Sequence, residues 1–182
     1  LKHINDSTKM VRVGVAQLVL GLDETNFSAQ DKTILKQSIE DYETMLFANA
    51  DFSLGRLQLG DYYLQKNDLN NAIKHYKIAL QKDSLLIPVY SNLATAYSMV
   101  EDYTNAHQIM DQWLLLEPEL GRPHYLKALL NFEVGDDKLA VSELQLAIKL
   151  DPKDTRAMYN LATYYYQDNK NLTDAQRYSK EA

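Results

Sequence analysis

Four histidines, His3, His75, His107 and His124, are the residues best suited to ligate a metal or move a proton near neutral pH. No two stand at i, i+4, the spacing that aims two imidazoles from one helix face at one ion. They are read as solvated helix histidines, with His75 and His107 near the outer faces of their helices. The chain has no Cys, which removes disulfides, thiolate metal sites, covalent haem attachment and thiol nucleophiles. Its six glycines are scattered, and neither a phosphate-cradling loop nor a Gly-x-Ser-x-Gly elbow is present. Asp136-Asp137 precedes an apolar run, so its role is capping and dipole stabilisation of a helix, ~0.5–2 kcal/mol. Asn26-Phe27-Ser28 and Asn171-Leu172-Thr173 match the glycosylation acceptor pattern, which has meaning only in a eukaryotic secretory protein. The chain is therefore not read as an enzyme. No catalytic residue, metal or cofactor is expected.

Binding is the remaining class of function, and composition narrows it. Hydrophobic residues make up 46% and charged residues 24%, which suits a folded chain rather than a disordered one. A formal net charge of -6 repels phosphate backbones and argues against nucleic acid. The longest apolar run, Met10 to Leu22, contains Arg12 and Gln17 and is shorter than the ~20 residues a bilayer needs, so no membrane insertion is expected. No small-residue cleavage site follows it, which rejects a signal peptide. Thirteen tyrosines against four phenylalanines suit a thin two-layer fold, where a ring is buried and its hydroxyl reaches water.

The elements that position these residues recur. Gly60, Ala94, Ala128 and Ala162 fall 34 residues apart, as do Ala72, Ala106 and Ala140. Ala175 comes one residue late, which places a one-residue insertion at Asn169-Lys170-Asn171. Leu59, Leu93 and Leu161 keep the period, with Tyr63, Tyr97 and Tyr165, Ala79 and Ala147, and Pro118 and Pro152. Each unit reads as two short amphipathic helices joined by a polar turn, Lys66-Asn67-Asp68 in the first and Val134-Gly135-Asp136 in the third. Small residues in both helices let the axes approach. Leu69, Tyr76, Tyr103, Met110, Leu139 and Leu144 are predicted to fill the space between helices. Proline stops the second helix at Pro118 and Pro152; Ser84 stands there in the first unit, which predicts a looser junction.

The stretches Asn92-Leu93-Ala94-Thr95-Ala96-Tyr97, Asn160-Leu161-Ala162-Thr163-Tyr164-Tyr165 and Ala147-Ile148-Lys149-Leu150-Asp151-Pro152 resemble the tetratricopeptide repeat. The resemblance covers residues 53 to 182. It implies an all-α fold, a right-handed superhelical solenoid of antiparallel helix pairs, with units 53–86, 87–120, 121–154 and a truncated 155–182. This sequence departs from the family pattern at Lys127 and Asn131, where apolar and aromatic residues are usual, and at Trp113, where Ala is usual and a core indole is expected. Residues 1–52 lie outside the register. Asp6-Ser7-Thr8-Lys9-Met10-Val11-Arg12 is similar to a HEAT-repeat helix. A long helix from Ala29 to Asn49 follows, capped by Ser28 with Asp31 three residues on, and carrying Ile34, Leu35, Ile39, Tyr42, Met45 and Leu46 on one stripe. This pair is read as an N-terminal helical cap.

In this family the first helices of the repeats line a concave face that binds protein or peptide segments. Matched columns place Asn92, Thr95, Met99, Arg122, Tyr125, Phe132, Arg156, Tyr159, Asn160, Thr163 and Tyr166 there, with Leu57, Asp61, Gln65 and Leu129 beside them. The resemblance implies main-chain hydrogen bonds from Asn92 and Asn160, a basic pair in Arg122 and Arg156, and an aromatic patch in Tyr125, Phe132, Tyr159 and Tyr166. Leu57, Asp61 and Arg122 do not reproduce the set that clamps chaperone C-terminal carboxylates, so that activity is not expected. Tyr164-Tyr165-Tyr166 cannot all be buried. Leu172, Ala175, Tyr178 and Ala182 form an apolar stripe with no following helix, which suggests a longer parent or a homodimer through the C-terminal helix. The chain opens with Leu1 and is read as a fragment of a larger bacterial-type polypeptide. A HEAT-like start running into these repeats also resembles C-terminal regions of some multihaem cytochrome c proteins. An accessory domain of such a redox enzyme is the alternative function. The compartment follows the parent: periplasmic for a cytochrome-like one, cytoplasmic otherwise.

Overall fold

The computed structural model describes residues 6–20, 27–167 and 172–181, with the backbone alone at Leu172 and Glu181. Ten helices and no strand occur among them: α1 (Lys9–Val19), α2 (Ala29–Ala48), α3 (Ser53–Gln65), α4 (Leu69–Lys82), α5 (Pro88–Met99), α6 (Tyr103–Leu116), α7 (Gly121–Glu133), α8 (Asp137–Leu150), α9 (Thr155–Gln167) and α10 (Leu172–Glu181). None is long and apolar enough to cross a membrane. The chain is all-α, and its helices pack as successive antiparallel pairs, with α3 on α4, α7 on α8 and α9 on α10. It divides into two compact units, Leu1–Val89 and Tyr90–Ala182, so the division falls inside α5.

In the first unit α1 packs on α2, and α2 on α3. Arg12 folds back over the turn that starts α1, donating to the carbonyls of Asp6 (2.7 Å) and Ser7 (3.0 Å). Ser28 caps α2 as expected, accepting from the Asp31 amide at 3.1 Å, while its hydroxyl donates to the Asp31 carboxylate at 2.8 Å. Leu35, Tyr42 and Leu46 are buried along the expected stripe. The core joins Val13, Tyr42, Leu46, Leu59 and Tyr62 across the three helices, and the Tyr42 and Tyr62 rings meet edge to face at 5.7 Å. The Tyr62 hydroxyl donates to Glu43.

The turns show why the period holds. Asn67 (φ 57°), Glu101 (φ 60°) and Gly135 (φ 78°) all adopt the left-handed conformation, 34 residues apart. Each lets the next amide, Asp68, Asp102 or Asp136, bond a carbonyl five residues back, at 2.9 Å in every case. Each Asp then caps the second helix, accepting from Asn71 (3.2 Å), Asn105 (3.2 Å) or Leu139 (3.1 Å). One residue ends a helix and the next begins another.

The recurring small residues are buried. Ala72, Ala106, Ala128 and Ala140 have no exposed surface, and Ala162 and Ala175 are 7% and 6% exposed. At Gly60 the reason is explicit: an added Cβ would lie 2.3 Å from the Tyr76 ring. Three expectations give way. Leu139 is 44% exposed and does not fill the inter-helix space, because Ala140 takes the inward position at the start of α8. Leu57 is 7% exposed, so its side chain is core rather than free surface. The junction at Ser84 ends α4 in the same register as Pro118 and Pro152 end α6 and α8. There the Asp83 carboxylate accepts from the Leu85 amide at 3.0 Å, the same turn that Asp151 and Lys153 make at 3.1 Å around Pro152, so the local turn forms with or without proline. Trp113 is core, and its indole N–H donates to Glu117 at 2.6 Å. The expected insertion at Asn169-Lys170-Asn171 lies outside the described residues, as does His3.

Candidate functional site

Three adjoining hollows follow α9 in the second unit. The first, ≈ 500 Å³, is lined by Leu129, Phe132, Asp137, Asn160, Thr163, Tyr164 and Gln167. The second, ≈ 590 Å³, is lined by Tyr125, Thr155, Arg156, Tyr159, Asn160 and Ser179. Asn160 belongs to both. The third, ≈ 480 Å³, lies between α9 and α10 and shares Tyr159, Thr163 and Gln167 with its neighbours. Of the residues predicted from matched columns, Tyr125, Phe132, Arg156, Tyr159, Asn160, Thr163 and Tyr166 therefore come together. The spacing explains it: α7 and α9 are consecutive first helices lying side by side, so equal columns become neighbours.

The polar residues of this region already bond one another. Asn160 Nδ2 donates to the Tyr125 hydroxyl at 3.3 Å. The Arg156 guanidinium lies 5.3 Å from the centre of the Tyr125 ring and pairs with the buried Asp154 carboxylate at 3.3 Å. Phe132 and Tyr164 have ring centres 5.6 Å apart. Tyr159 and Tyr166 are 66% and 69% exposed, the sole large exposures among the four tyrosines of α9, while Tyr164 and Tyr165 are half-buried. The Tyr165 hydroxyl accepts from Gln145 at 3.1 Å. Burial pushes its phenol above its usual range.

The other predicted residues sit apart from this trough. Thr95 lines a small hollow of ≈ 150 Å³ between α5 and α7, where Ser98 donates to Glu133 at 2.6 Å. Asn92 is half-buried and its side-chain oxygen accepts from Ser91 at 3.2 Å. Met99 is half-exposed and Arg122 is exposed. In the first unit Asp61 accepts from the Tyr76 hydroxyl at 2.7 Å, and Gln65 is exposed.

The histidines differ from the sequence reading. His75 is 5% exposed, stacks on Tyr63 with ring centres 5.3 Å apart, and accepts from Arg56 Nη1 at 3.2 Å through Nδ1. Burial and the Arg56 charge hold its pKa below the usual range, so it is a neutral core group with its proton on Nε2. His124 Nδ1 donates to Glu143 at 2.6 Å, with both side chains 12% exposed. Lys127 shares that carboxylate at 3.4 Å and pairs with Asp111 at 2.9 Å. Burial opposes the Lys127 charge, yet the two carboxylates outweigh it and its pKa is raised. His107, on α6, is held below its usual range by burial and by Lys127. Asn131, one turn on, is 2% exposed and its Nδ2 has no partner. Among the described residues no three His, Asp or Glu gather as metal ligands. The departures Lys127 and Asn131 marked this polar stripe in the sequence, but its partners on α6 and α8 were not legible there.

The tetratricopeptide repeat profile matches residues 55–81 and 121–154. The "DnaJ homolog subfamily C member 3" of Gallus gallus is 32% identical over 104 residues, which is 57% of this chain and 20% of the relative. The chain thus spans about a fifth of that relative's length. The crystal structure of MamA superposes with a TM-score of 0.66 at 21% identity, covering 85% of this chain and 92% of that one. The first repeat domain of Spaghetti (RPAP3), solved with the HSP90 peptide SRMEEVD, gives 0.58 at 16% identity, covering 66% and 96%.

Proposed function

We propose that this chain, which carries tetratricopeptide repeats, is a protein-interaction module that holds a segment of another protein along the α7–α9 seam. The observation that carries the reading is the continuity of the trough. Tyr125, Phe132, Arg156, Asn160 and Thr163 line two hollows that meet at Asn160. Aromatic walls contribute contact area at little entropic cost. Asn160 uses its amide hydrogen on Tyr125, which leaves its side-chain oxygen to accept a main-chain N–H from an extended segment. Arg156, 58% exposed at the side chain and placed over the Tyr125 ring, presents its remaining donors to a carboxylate at one end of the trough. The neighbour solved with a bound peptide has the same fold, and that likeness supports peptide binding as a class without naming a partner.

Selection of extended peptides from a displayed library against the whole chain tests this. The Arg156→Ala/Tyr159→Ala double variant and Leu129→Ala should each weaken the selected peptide by about tenfold or more. Unchanged affinity in both variants rejects the trough as the binding site.

A further inference from the structure

The ends of α7 and α9 carry charges that helix stability would place the other way round. The N-terminal end of a helix favours acidic side chains and the C-terminal end basic ones. Here Arg122 and Arg156 are the second residues of α7 and α9, and Glu133 is the last residue of α7. Neither helix has a basic side chain in its last turn. Asp137, at the start of α8, follows on the same edge as Glu133 and lines the first hollow of the trough. One edge of the first-helix face is therefore basic and the other acidic.

The seam between α5 and α7 repeats the α7–α9 seam with its chemistry changed. The hollow there, ≈ 150 Å³, is lined on the α7 side by Leu126, Leu129, Leu130 and Glu133. These stand at the columns that hold Asn160, Thr163, Tyr164 and Gln167 on α9. Thr95 and Ser98 line the α5 side, at the columns of Leu129 and Phe132 on α7. An apolar recess of about this size takes a group as large as one benzene ring. At its rim Glu133 is exposed, and the Ser98 hydroxyl donates to its carboxylate at 2.6 Å. That bond orients the carboxylate and leaves its charge in place. Leu129 lines both this hollow and the trough, so the two meet across one side chain. The seam lies between two repeats of one unit, and a further repeat would stack beside its neighbour rather than over this seam.

We infer that the α5–α7 hollow is a second anchoring site for the extended segment and sets its direction. The segment places a carboxylate at Arg156, crosses Leu129, seats one apolar side chain between Leu126 and Thr95, and presents a neighbouring Lys or Arg to Glu133. Arg156 and Glu133 together read the order of the charges, because the reversed segment brings carboxylate to carboxylate and cation to cation. Packed helix axes lie about 8–10 Å apart and an extended chain advances about 3.3 Å per residue, so the acidic and apolar residues stand about three or four positions apart. The inference rests on the trough reading and adds to it a pocket, a cation and a direction.

The displayed library selected against the whole chain gives the first test. The enriched peptides should share an acidic residue and, about three or four positions away, an apolar residue next to Lys or Arg. One such peptide is then labelled and titrated by fluorescence anisotropy. Thr95→Phe, a change at an exposed position that closes the hollow, and Glu133→Lys should each weaken it about tenfold, with the helical circular dichroism unchanged. Exchanging the peptide's cation for Glu should restore binding to the Glu133→Lys protein and weaken binding to the parent. If both variants bind like the parent while Arg156→Ala/Tyr159→Ala binds weakly, the hollow is not a subsite and the trough reading stands alone. Enriched peptides without the cation, or a charge exchange that restores nothing, overturn the role of Glu133 and the direction with it. If Arg156→Ala/Tyr159→Ala and Leu129→Ala also leave affinity unchanged, the trough and this inference fall together.

Discussion

The first and third repeats solve one geometric problem with opposite chemistry. In both, the fourth residue of the first-helix column bonds the twenty-third residue of the repeat across the helix pair. In the first repeat this is Arg56 donating to neutral His75 at 3.2 Å. In the third it is His124 donating to Glu143 at 2.6 Å. Around that bond the first repeat is apolar, with Leu59 fully buried and Tyr63 stacked on His75. The third places Lys127 and Asn131 at the same columns, 68 residues on. The scaffold therefore does not require an apolar seam between paired helices. It requires small residues where the axes cross, and it accepts polar side chains elsewhere, Lys127 with partners and Asn131 with a buried Nδ2 that lacks one. The second repeat has Tyr90 and the fourth Met158 at the first of these columns, both buried.

Glu143→Ala should have the largest effect on this contrast. It removes the acceptor shared by His124 and Lys127, leaving two partly buried donors with a lost partner, at a cost of about 3 kcal/mol. Chemical denaturation of the whole chain measures it; a loss under about 1 kcal/mol would make the polar stripe an exposed, weak pair. Gly60→Ala tests the shared part of the scaffold. Its Cβ would meet the Tyr76 ring at 2.3 Å, and an overpacked contact of this kind costs about 1–3 kcal/mol. A neutral result would show that the axes can separate freely.

Asn131→Leu converts one column of the third repeat to the chemistry of the first. It removes a buried amide nitrogen without a partner, so stability should rise by about 1–2 kcal/mol in the same measurement. A fall would reveal a bond to the amide. Smaller again is the difference between the left-handed turn residues. Glu101→Gly should stabilise by about 0.5–1 kcal/mol, because Gly135 reaches the same conformation without a side-chain penalty.

The pH response separates the two repeats in a different way. The folded pKa of His75 lies below its unfolded value. The unfolded chain thus takes up a proton first as pH falls, and the His75 contribution is present above about pH 6.5 and declines below it until the folded form also protonates. His107 acts in the same sense, so the readout is the difference between the parent and His75→Gln. The variant keeps an acceptor for Arg56 and should lose part of the acid-side decline. An identical pH profile in the two proteins contradicts a neutral, buried His75.

The sequence by itself determined what depends on local geometry: the 34-residue period, the all-α class, the small residues at the crossings, the Ser28 cap and the Asp136 cap. Each follows from backbone conformation and residue size within a few positions of the chain. It also marked most of the α9 trough, because equal columns of neighbouring first helices must fall side by side. Only the tertiary structure decided which polar side chain meets which. A sequence fixes the face on which Lys127 or His75 stands, but not the rotation of the neighbouring helix that brings Glu143 or Arg56 within 3.4 and 3.2 Å. The same reason holds for Leu57, drawn into the core, and for Tyr159 and Tyr166, which match partly buried residues on α7 yet are exposed on α9.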